Sequence, residues 1–146
     1  MMSAAPVACP CGSGMPYAAC CGRFHAGEAA PTAEQLMRSR YSAYVLGLMD
    51  YIHQTWDERT RPPREELVSD AGMKWLGLEV KKHVPADGGD ADRAKVEFVA
   101  RFKTGGRAHR LHEESRFVRD GGRWYYVDGI FPGKNKSGQA GTSKGK

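Results

Sequence analysis

A chain of 146 residues has room for one ordinary domain and a small appendage, and 40% hydrophobic residues suffice for a buried core. No apolar run approaches the length of a membrane span. The net charge of +5 suggests nucleic acid, but residues 134–146 hold four lysines and no acid, which leaves the rest nearly neutral.

Residues Met1–Ala8 have neither a basic start nor an apolar stretch, so no secretory leader is expected and the cytoplasm is the expected compartment. All four cysteines follow: Cys9, Cys11, Cys20 and Cys21. Two close thiol pairs separated by eight residues can fold back to set four sulfurs at the corners of a tetrahedron, the geometry of structural zinc. Disulfides compete with this reading. Cys20–Cys21 would close a strained ring, Cys9–Cys11 one nearly as tight, and crossed pairs suit a secreted chain. Redox chemistry lacks its C-x-x-C motif. One structural zinc ion is therefore the expected cofactor. Gly12 and Gly14 supply the tight turns of a knuckle, and Pro10 stiffens its first pair. With four thiolates present, His25 is expected to be a surface neighbour rather than a ligand. Arg23 is expected to offset the negative metal centre.

The stretch Cys9–Gly22 resembles the SEC-C motif, C-x-C-G-S-G-x-x-Y-x-x-C followed by Cys or His, through Cys9, Cys11, Gly12, Ser13, Gly14, Tyr17, Cys20 and Cys21. The resemblance implies that the four cysteines are the zinc ligands. Many SEC-C members carry lysines around the tyrosine. Here Met15, Pro16, Ala18 and Ala19 make the knuckle surface apolar.

Beyond a linker of small residues at 27–31, Thr32-Ala33-Glu34-Gln35 is a capping box. Leu36, Met37, Tyr41, Tyr44, Val45 and Leu48 then recur at helical spacing, with Gly47 as a break. A second short helix is predicted through Tyr51, Ile52, Thr55 and Trp56, and a helical turn within Arg64–Asp70. The period then changes to two. Leu76/Leu78/Val80, Ala94 to Phe102, Leu111/Glu113/Ser115/Phe117 and Trp124/Tyr126/Asp128/Ile130 read as four half-buried strands. Thr104-Gly105-Gly106 and Asp120-Gly121-Gly122 read as hairpin turns. Helices followed by a four-strand meander predict an α+β domain with the helices on one face of an antiparallel sheet.

The knuckle is followed by Arg38-Ser39-Arg40-Tyr41-Ser42-Ala43-Tyr44, Trp75-Leu76-Gly77-Leu78, Val96-Glu97-Phe98, Leu111–Phe117 and Gly122–Gly129. Together these resemble the bacterial YchJ family. The resemblance implies a cone-shaped, cystatin-like domain of the nuclear-transport-factor-two type, and no known activity. The expected organisation is a SEC-C zinc knuckle at 1–26, a linker at 27–31, the cystatin-like domain at 32–133 and a disordered Lys/Gly/Ser tail at 134–146.

Folds of this type enclose a pocket between helices and sheet. Arg40, His112, Glu113 and Asp128 are the polar candidates to line it. Glu113 lies on the core face with Leu111 and Phe117, so it needs a partner, Arg38 or Arg40 from the first helix. Residues two apart do not share a helix face, so only one of these arginines can point inward. The aromatic set Tyr41, Tyr44, Trp56, Trp75, Trp124 and Tyr126 is expected in the core. No phosphate loop, nucleophile elbow or H-E-x-x-H is present.

The expected role is a non-enzymatic protein-interaction module that docks through Met15, Pro16 and Tyr17. The alternatives are a small-molecule binder or enzyme using the pocket, and weak RNA or ribosome association through the lysine tail. No membrane partner is expected.

Overall fold

The computed structural model describes residues 7–70 and 72–132, so the lysine tail lies outside the described residues. Helix α1, Cys21–His25, closes the knuckle. Helix α2, Ala33–Leu46, opens at Thr32, whose hydroxyl accepts the Gln35 N–H at 3.1 Å, and it ends at Gly47 in the left-handed region. Helix α3, Met49–Gln54, is shorter than the predicted second helix. Thr55 and Trp56 leave the helix because their backbone joins the sheet. Tyr126 N–H donates to Thr55 O, and Asp57 N–H to Tyr126 O, both at 2.8 Å. A single 3-10 turn covers Arg64–Glu66.

Four antiparallel strands follow in meander order: β1 Met73–Val84, β2 Arg93–Thr104, β3 Arg107–Asp120 and β4 Arg123–Ile130. The turns β2–β3 and β3–β4 are two residues each, Gly105-Gly106 and Gly121-Gly122, all with positive φ. Such turns match the twist of the flanking strands, and glycine adopts them without a Cβ clash.

Simple alternation fails at two edges. In β1 a bulge falls between Trp75 and Gly77. Trp75 therefore faces the helices opposite Phe102, and Leu76, predicted inward, is 50% exposed. In β4, Phe117 pairs with Tyr126 but Arg116 pairs with Asp128, so Val127 is the extra residue. Trp124 and Tyr126 face the helices as predicted. Past the bulge the parity inverts: Asp128 joins the outer face and Gly129 the inner one.

Buried apolar side chains run without a break from the four thiols through Phe24, Leu36, Met37 and Tyr41 to Val96, Phe98, Phe117 and Trp124. A smaller cluster of Ala43, Met49, Ile52 and Leu67 lies under α3. The 27–31 segment is tied down as well. Arg123 donates to Gly27 O at 3.0 Å, Trp124 Nε1 to Pro31 O at 3.4 Å, and Ala30 is buried. Among the described residues no helix is long and apolar enough to cross a membrane.

Candidate metal centre and cavity

The knuckle loop doubles back at Gly12 and Gly14, both at positive φ, and Cys9 N–H reaches Met15 O at 3.0 Å. All four sulfurs lie within 4.8 Å of one another, and Cys11 Sγ is 3.7 Å from Cys20 Sγ. That spacing is far beyond a disulfide bond. It fits ligands about 2.3 Å from a shared tetrahedral ion, which sit roughly 3.8 Å apart. The thiols are buried and already share protons unequally. Beside Cys21 the Cys11 thiol is held well below its ordinary value, and Cys21 is pushed up. Four thiols bound as thiolates would hold a divalent cation in a closed set. Among the described residues the cluster consists of cysteines alone.

The groups around the sulfurs come from two places. Ser13 Oγ, within the knuckle, is 3.1 Å from Cys20 Sγ. The others come from α2: Ser42 Oγ lies 3.6 Å from Cys9 Sγ, and Arg38 Nη1 donates to Cys11 O at 3.1 Å and lies 4.0 Å from Cys11 Sγ. Arg38 therefore takes the place expected for Arg23, which instead pairs with Glu28 and donates to Cys20 O. The helical spacing of Glu34, Arg38 and Ser42 was the available signal, a polar row one turn apart.

His25 is not a surface residue. Its Nε2 donates to Ser39 O at 2.8 Å, its Nδ1 accepts from the Tyr17 hydroxyl at 2.6 Å, and Tyr51 packs edge-on against the ring at 4.7 Å. Tyr17, proposed for docking, thus has its hydroxyl committed inward, while Met15 and Pro16 stay exposed. Burial lowers the His25 pKa below its ordinary 6.5. A protonated ring could no longer accept from Tyr17. The neutral ring's stabilisation is complete above the unfolded value and is lost as pH falls through the lower folded value. The melting temperature should therefore drop more steeply from about pH 7 to 5.5 in the natural protein than in His25→Gln. Equal slopes would remove His25 from the account.

The opposite face of α2 meets the concave sheet face across a cavity of about 1330 Å³. Glu113 and Arg40 both lie in its wall, and both are buried. The expected ion pair between them is replaced by an indirect contact. Glu113 Oε2 accepts from Ser115 Oγ at 2.8 Å and from the Tyr126 hydroxyl at 2.9 Å. Arg40 lies over the other side of that interaction, 4.6 Å from the Tyr126 ring centre, and donates to Ile52 O and Thr55 Oγ1. Burial and the Glu113 charge together push the Tyr126 phenol far up. A Cβ at Gly129 would land on the Glu113 carboxylate, so the inverted end of β4 needs glycine there.

The other two pocket candidates lie elsewhere. His112 Nε2 is 2.6 Å from Glu97 on the outer sheet face. Asp128, carried outward by the Val127 bulge, makes a two-pronged pair with Arg116 at 2.7 Å. Of the aromatic set expected in the core, Tyr41 and Trp124 are buried, whereas Tyr44, Trp56, Trp75 and Tyr126 are half-buried and line the cavity.

The family pattern described as YchJ, middle NTF2-like domain, matches residues 32–129. The chain belongs to the YchJ family. The SEC-C motif pattern matches residues 8–23. The chain is similar to a UPF0225 protein of Cupriavidus metallidurans, 60% identical over 131 residues, which is 85% of this chain and 89% of that one. A UPF0225 protein of Chromobacterium violaceum is 57% identical over 129 residues, 86% of this chain and 94% of that one. The solution structure of a SEC-C motif containing protein from Rhodopseudomonas palustris superposes with a TM-score of 0.71 at 38% identity, covering 84% of this chain and 97% of that one. A crystal structure of such a protein from Psychrobacter arcticus gives 0.65 at 34% identity, covering 88% and 83%. The YchJ fold and a cysteine cluster suited to a metal ion are thereby established together.

Proposed function

We propose that this YchJ-family protein holds one structural zinc ion on Cys9, Cys11, Cys20 and Cys21 and acts as a non-enzymatic interaction module in the cytoplasm. The observation that carries the reading is the closed set of four buried thiols, which leaves a bound ion no open position for substrate. Thiols kept as metal ligands suit a reducing compartment. The knuckle's outer edge supports docking of a protein partner with an apolar contact surface. Val7 and Met15 are 75% and 46% exposed, and Pro16, Ala18 and Ala19 are exposed beside them.

The test combines metal analysis with a photo-crosslinker placed at Ala18 in the zinc-loaded full chain. The expected result is one zinc per chain and a single defined adduct in cytosol. Met15→Glu should abolish the adduct while retaining the metal, and Cys9→Ser/Cys11→Ser should abolish both. Well under half an equivalent of zinc, or an adduct indifferent to Met15→Glu, would overturn the reading. A role in the α+β cavity is the second reading, favoured by the burial of Glu113 in its wall. Weak RNA or ribosome association would rest on the lysine tail alone, and loss of salt-sensitive RNA binding on removing residues 134–146 would be its signature.

A further inference from the structure

The cavity between α2 and the sheet carries more chemistry than a packing defect. Its aromatic wall includes Tyr44, Trp56, Trp75, Phe102 and Tyr126. Aromatic faces are negative at their centres and attract cations, most strongly where water is excluded. The charged groups lining it are Arg40, Glu66, Asp70 and Glu113, three carboxylates to one guanidinium. The single positive charge is already engaged. Arg40 donates to Ile52 O and Thr55 Oγ1 and lies over the Trp56 and Tyr126 rings at 5.2 and 4.6 Å. Glu113 sits in the wall, fixed by Ser115 and Tyr126, with only 3% of its surface exposed. Glu66 and Asp70 are exposed lining residues. Trp56 Nε1, from the same wall, is a buried donor without a partner among the described residues.

We infer that this cavity is a binding site for a small organic cation, an ammonium compound with an apolar or aromatic body. Its positive nitrogen would lie against Tyr44, Trp75 and Phe102, rather than the Trp56 and Tyr126 rings that Arg40 covers, within the field of Glu113. The carboxylates at Glu66 and Asp70 would favour its entry and disfavour anions. The site is separate from the metal centre. The two occupy opposite faces of α2, with Arg38, Ser39 and Ser42 toward the knuckle and Arg40, Tyr41 and Tyr44 toward the cavity.

The test uses the metal-loaded full chain and three probes with a common benzyl body: benzyltrimethylammonium, its neutral tert-butyl isostere, and phenylacetate. Binding is followed by nuclear magnetic resonance shifts, with the Trp56 indole N–H as the site reporter, and by calorimetry. The ammonium probe should bind about tenfold more tightly than the neutral one, and the anion should not bind. Glu113→Gln, checked for a folded spectrum, should weaken the ammonium about tenfold and leave the neutral probe unchanged. The exposed Asp70→Asn should weaken it less, with no cost in folding. Should Glu113→Gln fail to fold, the cation preference of the natural protein and the Asp70→Asn effect decide. Equal binding of charged and neutral probes, tighter binding of phenylacetate, or no shift with any probe would each overturn the inference. None of these results bears on partner docking at the knuckle.

Discussion

Stripping the metal from the folded protein should loosen α2 together with the knuckle. A knuckle this small has no core of its own, and comparable zinc peptides derive about 10–16 kcal/mol of folding energy from the ion. In the folded chain that energy is shared. Ser42 touches Cys9, Arg38 holds the Cys11 carbonyl, and His25 bonds the Ser39 backbone. The thiols also belong to the same buried cluster as Val96 and Phe117. After treatment with a strong chelator, amide exchange should rise sharply at residues 9–25 and along Arg38–Ala43, and the midpoint of thermal unfolding should fall. Arg38→Ala keeps every thiol yet removes a group beside the sulfurs. It should weaken metal affinity about tenfold or more in a competition assay. Exchange confined to residues 9–22, with unchanged affinity in Arg38→Ala, would mean that the helix contributes nothing to the centre.

Trp124→Ala should cost about 3–5 kcal/mol in a denaturant titration. The side chain is 6% exposed, lies under the Arg119 guanidinium at 5.2 Å, and reaches Pro31 O through its indole N–H. Its removal would open a cavity and release the segment that leads into α2. Ile130→Ala in the same strand, at a side chain 59% exposed, should change stability by less than about 0.5 kcal/mol. Similar costs at the two positions would refute the inverted register of β4.

The sequence carried the elements that depend on local signals. The Thr32 cap, the Gly47 stop, the paired-glycine turns and the alternation through Ala94–Phe102 all have their causes within a few residues, and they appear where expected. The cysteine cluster was legible for the same reason, because spacing alone brings the sulfurs together. What could not be read depends on distant partners or on one extra residue. A bulge at Val127 has no sequence mark, and it turned Asp128 outward. The role of His25 depends on Ser39, fourteen positions away, and that of Arg38 on Cys11, twenty-seven away. Glu113 lies on the buried face, as the period-two alternation of its strand indicates. Its partners are the hydroxyls of Ser115 and Tyr126, and nothing in the local sequence distinguishes that solution from an ion pair for a buried carboxylate.

The meander has a consequence for the order of assembly. Each strand pairs with its neighbour in sequence, and two of the three connections are two-residue turns, so the sheet can grow by successive hairpins with little loop entropy to overcome. The link between Thr55–Asp57 and Tyr126 spans about seventy positions and joins the end of α3 to the last strand. It can close only after β4 is laid down. The helical side of the cavity, Arg40 over Tyr126 included, therefore completes late in folding, on a sheet already in register.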